Sequence, residues 1–280
     1  MALLGWCLAQ SGETAPADTA ELYGKYPASL LIKTRTATTY PEGMWVFTLV
    51  GTWFDADEKR DPASDEMVGL PADTTYRLGS SVLWVEYGVT DRLQLGTAAP
   101  LLYRRMDNPA AGLNDTAVGL GDVSTYGKYK LVCETRLLPA ISADLWVKLP
   151  TGDEDRGLGN DQTDLTAALE ISKRTGCLSW HLNPEYVFTG GSHDEIGDAA
   201  HNRAVLNAGV MWHAKPCFIP MLEVNTFRWG PQGNQTDIGT GFLWFPTRNT
   251  SLKVGVAVPV DVDMPWAADW TPWVKYAWWF

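Results

Sequence analysis

The four histidines are where a search for catalytic chemistry in this sequence begins. They are His181, His193, His201 and His213. Some hydrolases use a serine two residues after a histidine as the nucleophile of a base–nucleophile pair, and none of the four has that neighbour. Ser192 directly precedes His193, but adjacency along a chain does not supply the geometry by which a base activates a nucleophile. We therefore predict no catalytic residue and no enzyme activity.

One stretch offers side chains that could hold a metal ion, HDEIGDAAH (193–201). Its candidate ligands are His193, Asp194, Glu195, Asp198 and His201. Their order does not match the H-E-x-x-H zinc motif, and a polar external loop is the simpler interpretation. The cysteines at 133, 177 and 217 form no C-x-x-C pair and no other ligand spacing. We predict no metal and no cofactor.

The remaining polar side chains follow a regular pattern, at every second position of long segments. In LPAISADLWVKL (138–149), Ile141 and Leu145 share one face while Asp144 and Lys148 share the other. A spacing of two is the side-chain period of a β-strand. Twelve such segments lie near 43–54, 74–88, 91–103, 119–132, 135–149, 163–174, 177–190, 202–214, 217–229, 236–246, 250–260 and 271–280.

Short and long connections alternate strictly between these segments. The short turns are YGVTDR (87–92), VCET (132–135), RTGC (174–177), AKPC (214–217) and PTRN (246–249). The long connections are rich in Gly, Asp and Pro, as in 55–73 and 261–270. Tilted strands that span a bilayer need about 9–11 residues, and an even number of them with this alternation is typical of an outer-membrane barrel.

We therefore predict an all-β protein, a closed antiparallel transmembrane β-barrel of about 12 strands. A seven-bladed β-propeller also repeats near every forty residues, but its blades hold four short strands each. A soluble β-sandwich would not explain the alternation of loops. Cys133, Cys177 and Cys217 all fall in short turns of the barrel. Because a disulfide needs Cα atoms within about 7 Å, we expect three free thiols.

The final stretch, WVKYAWWF (273–280), fits a lipid-facing strand. Val274, Tyr276, Trp278 and Phe280 alternate with residues of the opposite face, among them Lys275. A membrane sheet must close on itself, because unpaired backbone groups in hydrocarbon cost several kcal/mol each. The last strand should therefore pair with the first. A terminal Phe preceded by aromatic residues at alternate positions also resembles the signal by which barrels are recognised for assembly. Its residues are Tyr276, Trp278 and Phe280.

The segment before the barrel has two predicted parts. Residues 1–17 read as a signal-peptide remnant or N-terminal segment, because a short apolar core is followed by small and polar residues. Residues 18–42 are predicted as a periplasmic N-terminal segment, and 43–280 as the barrel. The net charge of −11 argues against a nucleic-acid partner.

Three stretches carry a resemblance to a known family: RTATTYPEGMWVF (35–47), GLGDVSTYGKYKL (119–131) and LPAISADLWVKLPTGDEDRGLGNDQTDL (138–165). Together with the C-terminal pattern they resemble, over roughly 35–280, the outer-membrane β-barrel family of phenol meta-degradation pathway transporters. The resemblance implies an outer-membrane channel whose solutes include hydrophobic or aromatic compounds.

We expect a channel for the passive passage of small solutes, in the outer membrane and with both termini periplasmic. The alternative is a non-conducting structural or surface-binding barrel whose acidic loops hold divalent cations and lipopolysaccharide. The expected partners are membrane lipid and lipopolysaccharide, the barrel-assembly machinery and a small-molecule solute. The candidate pore-lining residues are Glu86, Arg92, Gln94, Asp122, Lys128, Lys130, Asp144, Lys148, Glu170, His181, Asn183, Glu185, Asn207, Glu223, Asn225, Lys253 and Lys275.

Overall fold

A computed structural model describes residues 33–56, 58–60, 66–71, 73–190, 202–213, 215, 217–228, 233–263 and 266–280. The strands are β1 (Trp45–Ala56), β2 (Glu58–Arg60), β3 (Met67–Gly69), β4 (Thr75–Thr90), β5 (Leu93–Asn108), β6 (Leu113–Leu120), β7 (Ser124–Val132), β8 (Ala140–Lys148), β9 (Asp164–Thr175), β10 (Leu178–Thr189), β11 (Arg203–Trp212), β12 (Phe218–Arg228), β13 (Asn234–Thr247), β14 (Thr250–Val262), β15 (Trp266–Ala267) and β16 (Thr271–Trp279). One 3₁₀ turn, Pro109–Ala111, separates β5 from β6. In the described part of the chain, no helix is long and apolar enough to cross a membrane. The predicted segment 1–17 and residues 18–32 lie outside the described residues, as does the HDEIGDAAH stretch at 193–201.

Thirteen of the strands form one antiparallel sheet that closes on itself. β16 pairs with β1, and β4 pairs with both β1 and β5. β6 and β7 share one position in the wall, because both pair with β5, β7 along its first part and β6 along its second. The wall therefore has twelve strand positions, and the predicted closed barrel of about 12 strands is confirmed.

The fourth wall strand was predicted as one continuous segment, 119–132, and the structure differs. It is interrupted between Leu120 and Ser124. The carboxylate of Asp122 accepts the backbone N–H groups of Thr151 (3.1 Å) and Gly152 (2.9 Å), so the connection after β8 is fixed against the break. Asp122 thus binds the loop after β8 and does not lie in a β-strand.

A second, three-stranded sheet was not predicted. It joins parts of the two connections 55–73 and 261–270: Trp266 pairs with Lys59, and Glu58 pairs with Gly69. Pairing between segments so far apart in the chain leaves no local periodicity, and strands of two or three residues are too short to show one.

The two ends of the barrel differ. The short turns lie at one end, here called the turn end, and the long connections lie at the other, the loop end. Cys133 and Cys217, near turns of the turn end, are free and exposed. Cys177 is disulfide-bonded, so its prediction as a free thiol is wrong.

The outer face is apolar around the whole wall. Each strand position exposes a large apolar side chain, namely Leu49, Leu83, Leu95, Tyr129, Leu145, Leu169, Leu182, Leu206, Leu222, Ile238, Val258 and Val274. Exposed aromatic side chains lie towards both ends, such as Trp45 and Trp180 at the turn end and Trp53 and Phe188 at the loop end. An aliphatic belt between two aromatic bands is the outer surface of a membrane-spanning barrel.

The last strand follows this division of faces. Val274, Tyr276 and Phe280 are 46%, 40% and 68% exposed on the outside, while Ala277 and Trp279 are buried inside. Phe280 and Trp45 exchange both backbone hydrogen bonds, at 3.2 and 3.0 Å, so the seam with β1 is paired to the last residue. The role of Tyr276, Trp278 and Phe280 as an assembly signal stays a prediction.

Candidate functional site: the barrel lumen

Part of the described chain just before β1 lies inside the barrel. Residues 33–41, here called the strap, cross the lumen from β12 and β13 to β4 and β5, which lie on nearly opposite sides of the wall. The strap enters with the backbone N–H of Lys33 and the N–H and hydroxyl of Thr34, which donate to the carboxylate of Glu223 at 3.0–3.3 Å. The described part of the predicted periplasmic segment 18–42 is therefore within the lumen, where its backbone satisfies buried polar groups of the wall.

Arg35 is the centre of a buried ion cluster. Its guanidinium contacts three carboxylates of successive wall strands: Asp144 at 3.4 Å, Glu170 at 3.1 Å and Glu185 at 3.1 Å. Lys128 reaches Glu170 from the other side. Buried charges persist only when they are paired. The strap thus supplies the one cation that contacts all three carboxylates among the described residues.

The far end of the strap is fixed by Tyr40. Its hydroxyl donates to the buried carboxylate of Glu86 at 2.9 Å, and its backbone N–H donates to Gln94 at 3.3 Å. Tyr126 also donates to Glu86. Burial, and after it the charge of Glu86, raises the pKa of Tyr40 well above its ordinary value. The phenol therefore stays a hydrogen-bond donor.

Hydrogen bonds through two histidines reach the strap from the turn end. The N–H of Ala37 donates to the hydroxyl of Ser172 (2.9 Å), which lies 2.8 Å from Nδ1 of His181. Ser179 then lies 3.0 Å from Nε2 of His181 and 2.8 Å from Nε2 of His213. This arrangement connects polar groups of the wall and the strap. Among the described residues, no group of three or more His, Cys, Asp or Glu side chains could hold a metal ion.

Apolar side chains fill the lumen below the strap. One buried cluster consists of Met211, Ile219, Met221 and Leu243, with Phe245 and Trp273 packed against it. A second consists of Tyr40, Val46 and Trp279, with Met44 and Phe245 packed against it. The strap and these two clusters occupy the turn-end half of the barrel.

Above the strap, the loop-end half contains a cavity of about 570 Å³. One wall carries Trp84 and Trp146, whose rings meet edge-on with centroids 5.3 Å apart; Trp146 in turn stacks on Tyr126 at 4.0 Å. Another wall carries Phe227 and Trp273.

Two strap cations line the floor of this cavity. The ammonium of Lys33 lies 4.6 Å from the ring centroid of Phe227 and 5.8 Å from that of Trp273. The guanidinium of Arg35 lies 5.0 Å from the ring centroid of Trp146. Aromatic side chains stack against other flat rings, and a cation is attracted to the face of an aromatic ring.

Charged residues surround the cavity towards the loop end. Lys148 contacts Asp164 at 2.9 Å and Asp122 at 3.4 Å, and Arg203 lies 3.7 Å from Asp164. Deeper in the cavity, the amide of Asn207 donates to Glu185 at 2.8 Å. Within the described ranges the carbonyl oxygen of Asn207 has no hydrogen-bond partner. A solute in the cavity therefore meets charges near its mouth as well as the strap cations on its floor.

Comparison of the sequence with models of protein families shows to which family the chain belongs. The family model described as "Putative MetA-pathway of phenol degradation" matches residues 56–264. The chain belongs to this family. The match confirms the resemblance that the three sequence stretches had indicated.

Two solved structures have a fold similar to that of this chain. The COG4313 outer membrane channel from Pseudomonas putida F1 matches with a TM-score of 0.70 and 17% identity, over 87% of this chain and 98% of that one. The NanC porin matches with a TM-score of 0.52 and 10% identity, over 82% and 98%. No match was found among curated protein sequences.

The predicted pore-lining residues of this family member fall into three groups. Buried in the barrel are Glu86, Gln94, Lys128, Asp144, Glu170, His181, Asn183, Asn207, Glu223, Asn225 and Lys253. Partly buried are Asp122, Lys130, Lys148, Glu185 and Lys275. Arg92 is exposed in the turn between β4 and β5, because β5 begins at Leu93 and not at 91. Of all these, the large cavity is lined by Glu86, Lys148, Glu185, Asn207 and Lys275.

Sequence reasoning missed the strap cations and the aromatic walls. A signal for the walls was present, because Trp146 stands between Asp144 and Lys148 on the polar face of its strand. A tryptophan at a polar-face position faces the lumen and not the lipid. The strap had no such signal, since residues 33–41 show no alternation of apolar and polar side chains.

Proposed function

We propose that this protein is an outer-membrane channel for the passive passage of small solutes, with aromatic or other hydrophobic compounds as its preferred class. The observation that carries the proposal is the cavity above the strap, which has the volume of a small-molecule site and two aromatic walls. The similar fold of the COG4313 outer membrane channel supports the same function.

The strap makes this channel a gated one. It crosses the lumen under the cavity and is bound to β4, β5, β8, β9, β10, β12 and β13 through hydrogen bonds and ion pairs. Solutes that reach the cavity from the loop end would pass the turn end only when the strap and the apolar clusters move. We therefore expect a small, intermittent conductance.

The alternative is a non-conducting structural or surface-binding barrel, and the bound strap is the observation that favours it. Liposomes that contain the refolded protein separate the two functions. Uptake of phenol and benzoate faster than into protein-free liposomes is expected of the channel. If the protein is folded by heat-modifiable gel mobility, and neither solute uptake nor planar-bilayer conductance rises above the protein-free level, the structural function is the right one.

We place both termini and the turn end in the periplasm, because short turns of such barrels face that side. The free thiols Cys133 and Cys217 provide a test together with an Asp155→Cys variant in the loop after β8. A membrane-impermeant maleimide should label the introduced thiol on intact cells and the two native thiols only after the outer membrane is breached. The reverse pattern would invert the topology.

We also propose that the barrel-assembly machinery recognises the C-terminal strand. Phe280 is 68% exposed at the turn end, where even a charged substitution on the lipid face costs only about 0–1 kcal/mol. Deletion of Phe280 should lower the amount of folded barrel in cells and leave refolding into detergent nearly intact. Lys275→Gln, inside the lumen, should do neither. Equal losses for both variants in cells would mean that the C-terminal strand acts through packing alone.

A further inference from the structure

The outer face of β1, β4 and β5 changes from apolar to charged within one row of side chains. On the membrane side of the change, Trp53 and Tyr103 stack across Gly79 with ring centroids 5.7 Å apart. The next outward-facing row towards the loop end consists of Asp55, Arg77 and Arg105, paired in register. This row therefore lies where the hydrocarbon ends and lipid headgroups begin.

Two arginines of this row are direct cross-strand partners. Arg77 pairs in register with Arg105, and like charges placed directly opposite each other destabilise a sheet unless an anion lies between them. Each guanidinium has one carboxylate on its Nε edge: Asp55 for Arg77, with both oxygens at 3.0 Å, and Asp107 for Arg105, at 2.6 Å. Both contacts are made through Nε, and Arg105 also hydrogen-bonds Tyr103. A guanidinium carries two further nitrogens, Nη1 and Nη2, in the fork geometry that suits a phosphate.

A groove of about 550 Å³ begins beside Arg77. Its lining includes Trp53, Asp55, Arg77, Trp270 and Pro272. Trp53 and Trp270 are 41% and 56% exposed, so the groove has aromatic sides open to the surroundings of the barrel. Aromatic rings at this level contact the junction between acyl chains and headgroups.

We propose that this groove and the Arg77–Arg105 pair form a binding site for a phosphorylated glycolipid of the outer leaflet, lipid A. A lipid A phosphate lies between the two guanidinium groups, its sugar ring lies against Trp53 and Trp270, and its acyl chains continue over the aliphatic belt. Basic clusters at the membrane margin recognise anionic headgroups in the same way. The site lies on the outside of the wall, so it does not depend on whether the lumen conducts.

Titration of the refolded full chain in detergent tests the site with three probes: diphosphoryl lipid A, dephosphorylated lipid A and inorganic phosphate. Wild type should bind the diphosphoryl form at least tenfold more tightly than the dephosphorylated form. Arg77→Gln combined with Arg105→Gln should remove that tenfold preference, and Arg77→Lys should keep part of it. Arg248→Gln, which removes one exposed charge in the turn before β14, should bind as wild type does.

Three outcomes would overturn the proposal. Equal affinity for the two lipid A forms would reduce the groove to an apolar surface. Inhibition of lipid A binding by inorganic phosphate at equal concentration would make the arginines a site for free anions. A double variant that is folded by gel mobility and binds diphosphoryl lipid A normally would exclude the arginines. If the double variant does not fold, the two single variants replace it, and each is expected to lose about threefold in affinity for diphosphoryl lipid A. Wild-type affinity in both single variants would also exclude the arginines as the site.

Discussion

The two halves of the lumen differ in what fills them. In the turn-end half, buried polar side chains of the wall have partners on the strap, as Glu223, Asp144 and Glu86 do. In the loop-end half, Trp84 and Trp146 face a cavity, and in the described chain neither indole N–H has a hydrogen-bond partner. One barrel thus combines a closed half, held by charge and hydrogen bonds, with an open half shaped by rings.

The difference shows how a wall in which polar and apolar residues alternate uniformly can form both a closed half and an open half of the lumen. Polar side chains in a narrow barrel must be paired, and a chain segment that pairs them also blocks the passage. Large rings, which need no partner except at one atom, can leave space between them. The comparison therefore predicts that charge removal in the closed half changes passage, and that ring removal in the open half changes solute binding.

Arg35→Gln should have the largest effect, because it leaves Asp144, Glu170 and Glu185 with fewer cations. Removing one partner of a buried ion pair costs about 3–5 kcal/mol, and the strap can avoid that cost by leaving the lumen. We expect planar-bilayer conductance to rise severalfold and the open periods to lengthen. Arg248→Gln is the control for loss of one charge. A folded Arg35→Gln barrel with wild-type conductance would show that the strap is not the gate.

Tyr40→Phe should weaken the attachment of the strap in the closed half by less than Arg35→Gln does. It removes one donor to the buried Glu86 carboxylate, while Tyr126 and Gln94 still donate to it. A lost hydrogen bond to a charged group is worth about 1.5–3 kcal/mol. We expect hydrogen exchange at the Ala37 amide to speed up about tenfold or more. Tyr87→Phe, one residue from Glu86 but on the outer face, should leave that amide unchanged, and equal exchange in both variants would exclude Tyr40 as an anchor.

Trp146→Leu should have the smallest effect, confined to the open half. An aromatic pair contributes about 0.5–1.5 kcal/mol beyond area burial, so the affinity for phenol, measured by calorimetry in detergent, should fall by up to about tenfold. Trp180→Leu, a ring that is 52% exposed on the outer face, is the matched control. The assignment of the cavity as the solute site would be wrong if both variants lost affinity equally or neither did.

The strands of the wall could be predicted from the sequence because neighbouring residues along the chain determine them. The segments predicted at 163–174 and 177–190 are β9 (Asp164–Thr175) and β10 (Leu178–Thr189) within a residue, since alternation and a tight Gly-containing turn determine both. What determines the lumen is not local. Thr34 binds Glu223 189 positions away, and Asp122 breaks its strand by binding a loop thirty positions on. Alternation along a strand therefore predicts which residues share a face, but not which side chains enclose a cavity.

The seam between β1 and β16 and the anchoring of the strap have a consequence for the order of folding. The strap precedes all the wall strands in the chain, yet its first contacts are with β12 and β13. It can settle only after those late strands exist, and the wall closes only when the final strand arrives at β1. Contacts between such distant parts of a chain form slowly. Maturation should therefore end with two late events, zipping of the seam and docking of the strap, and the barrel's slowest kinetic phase should report whichever comes last.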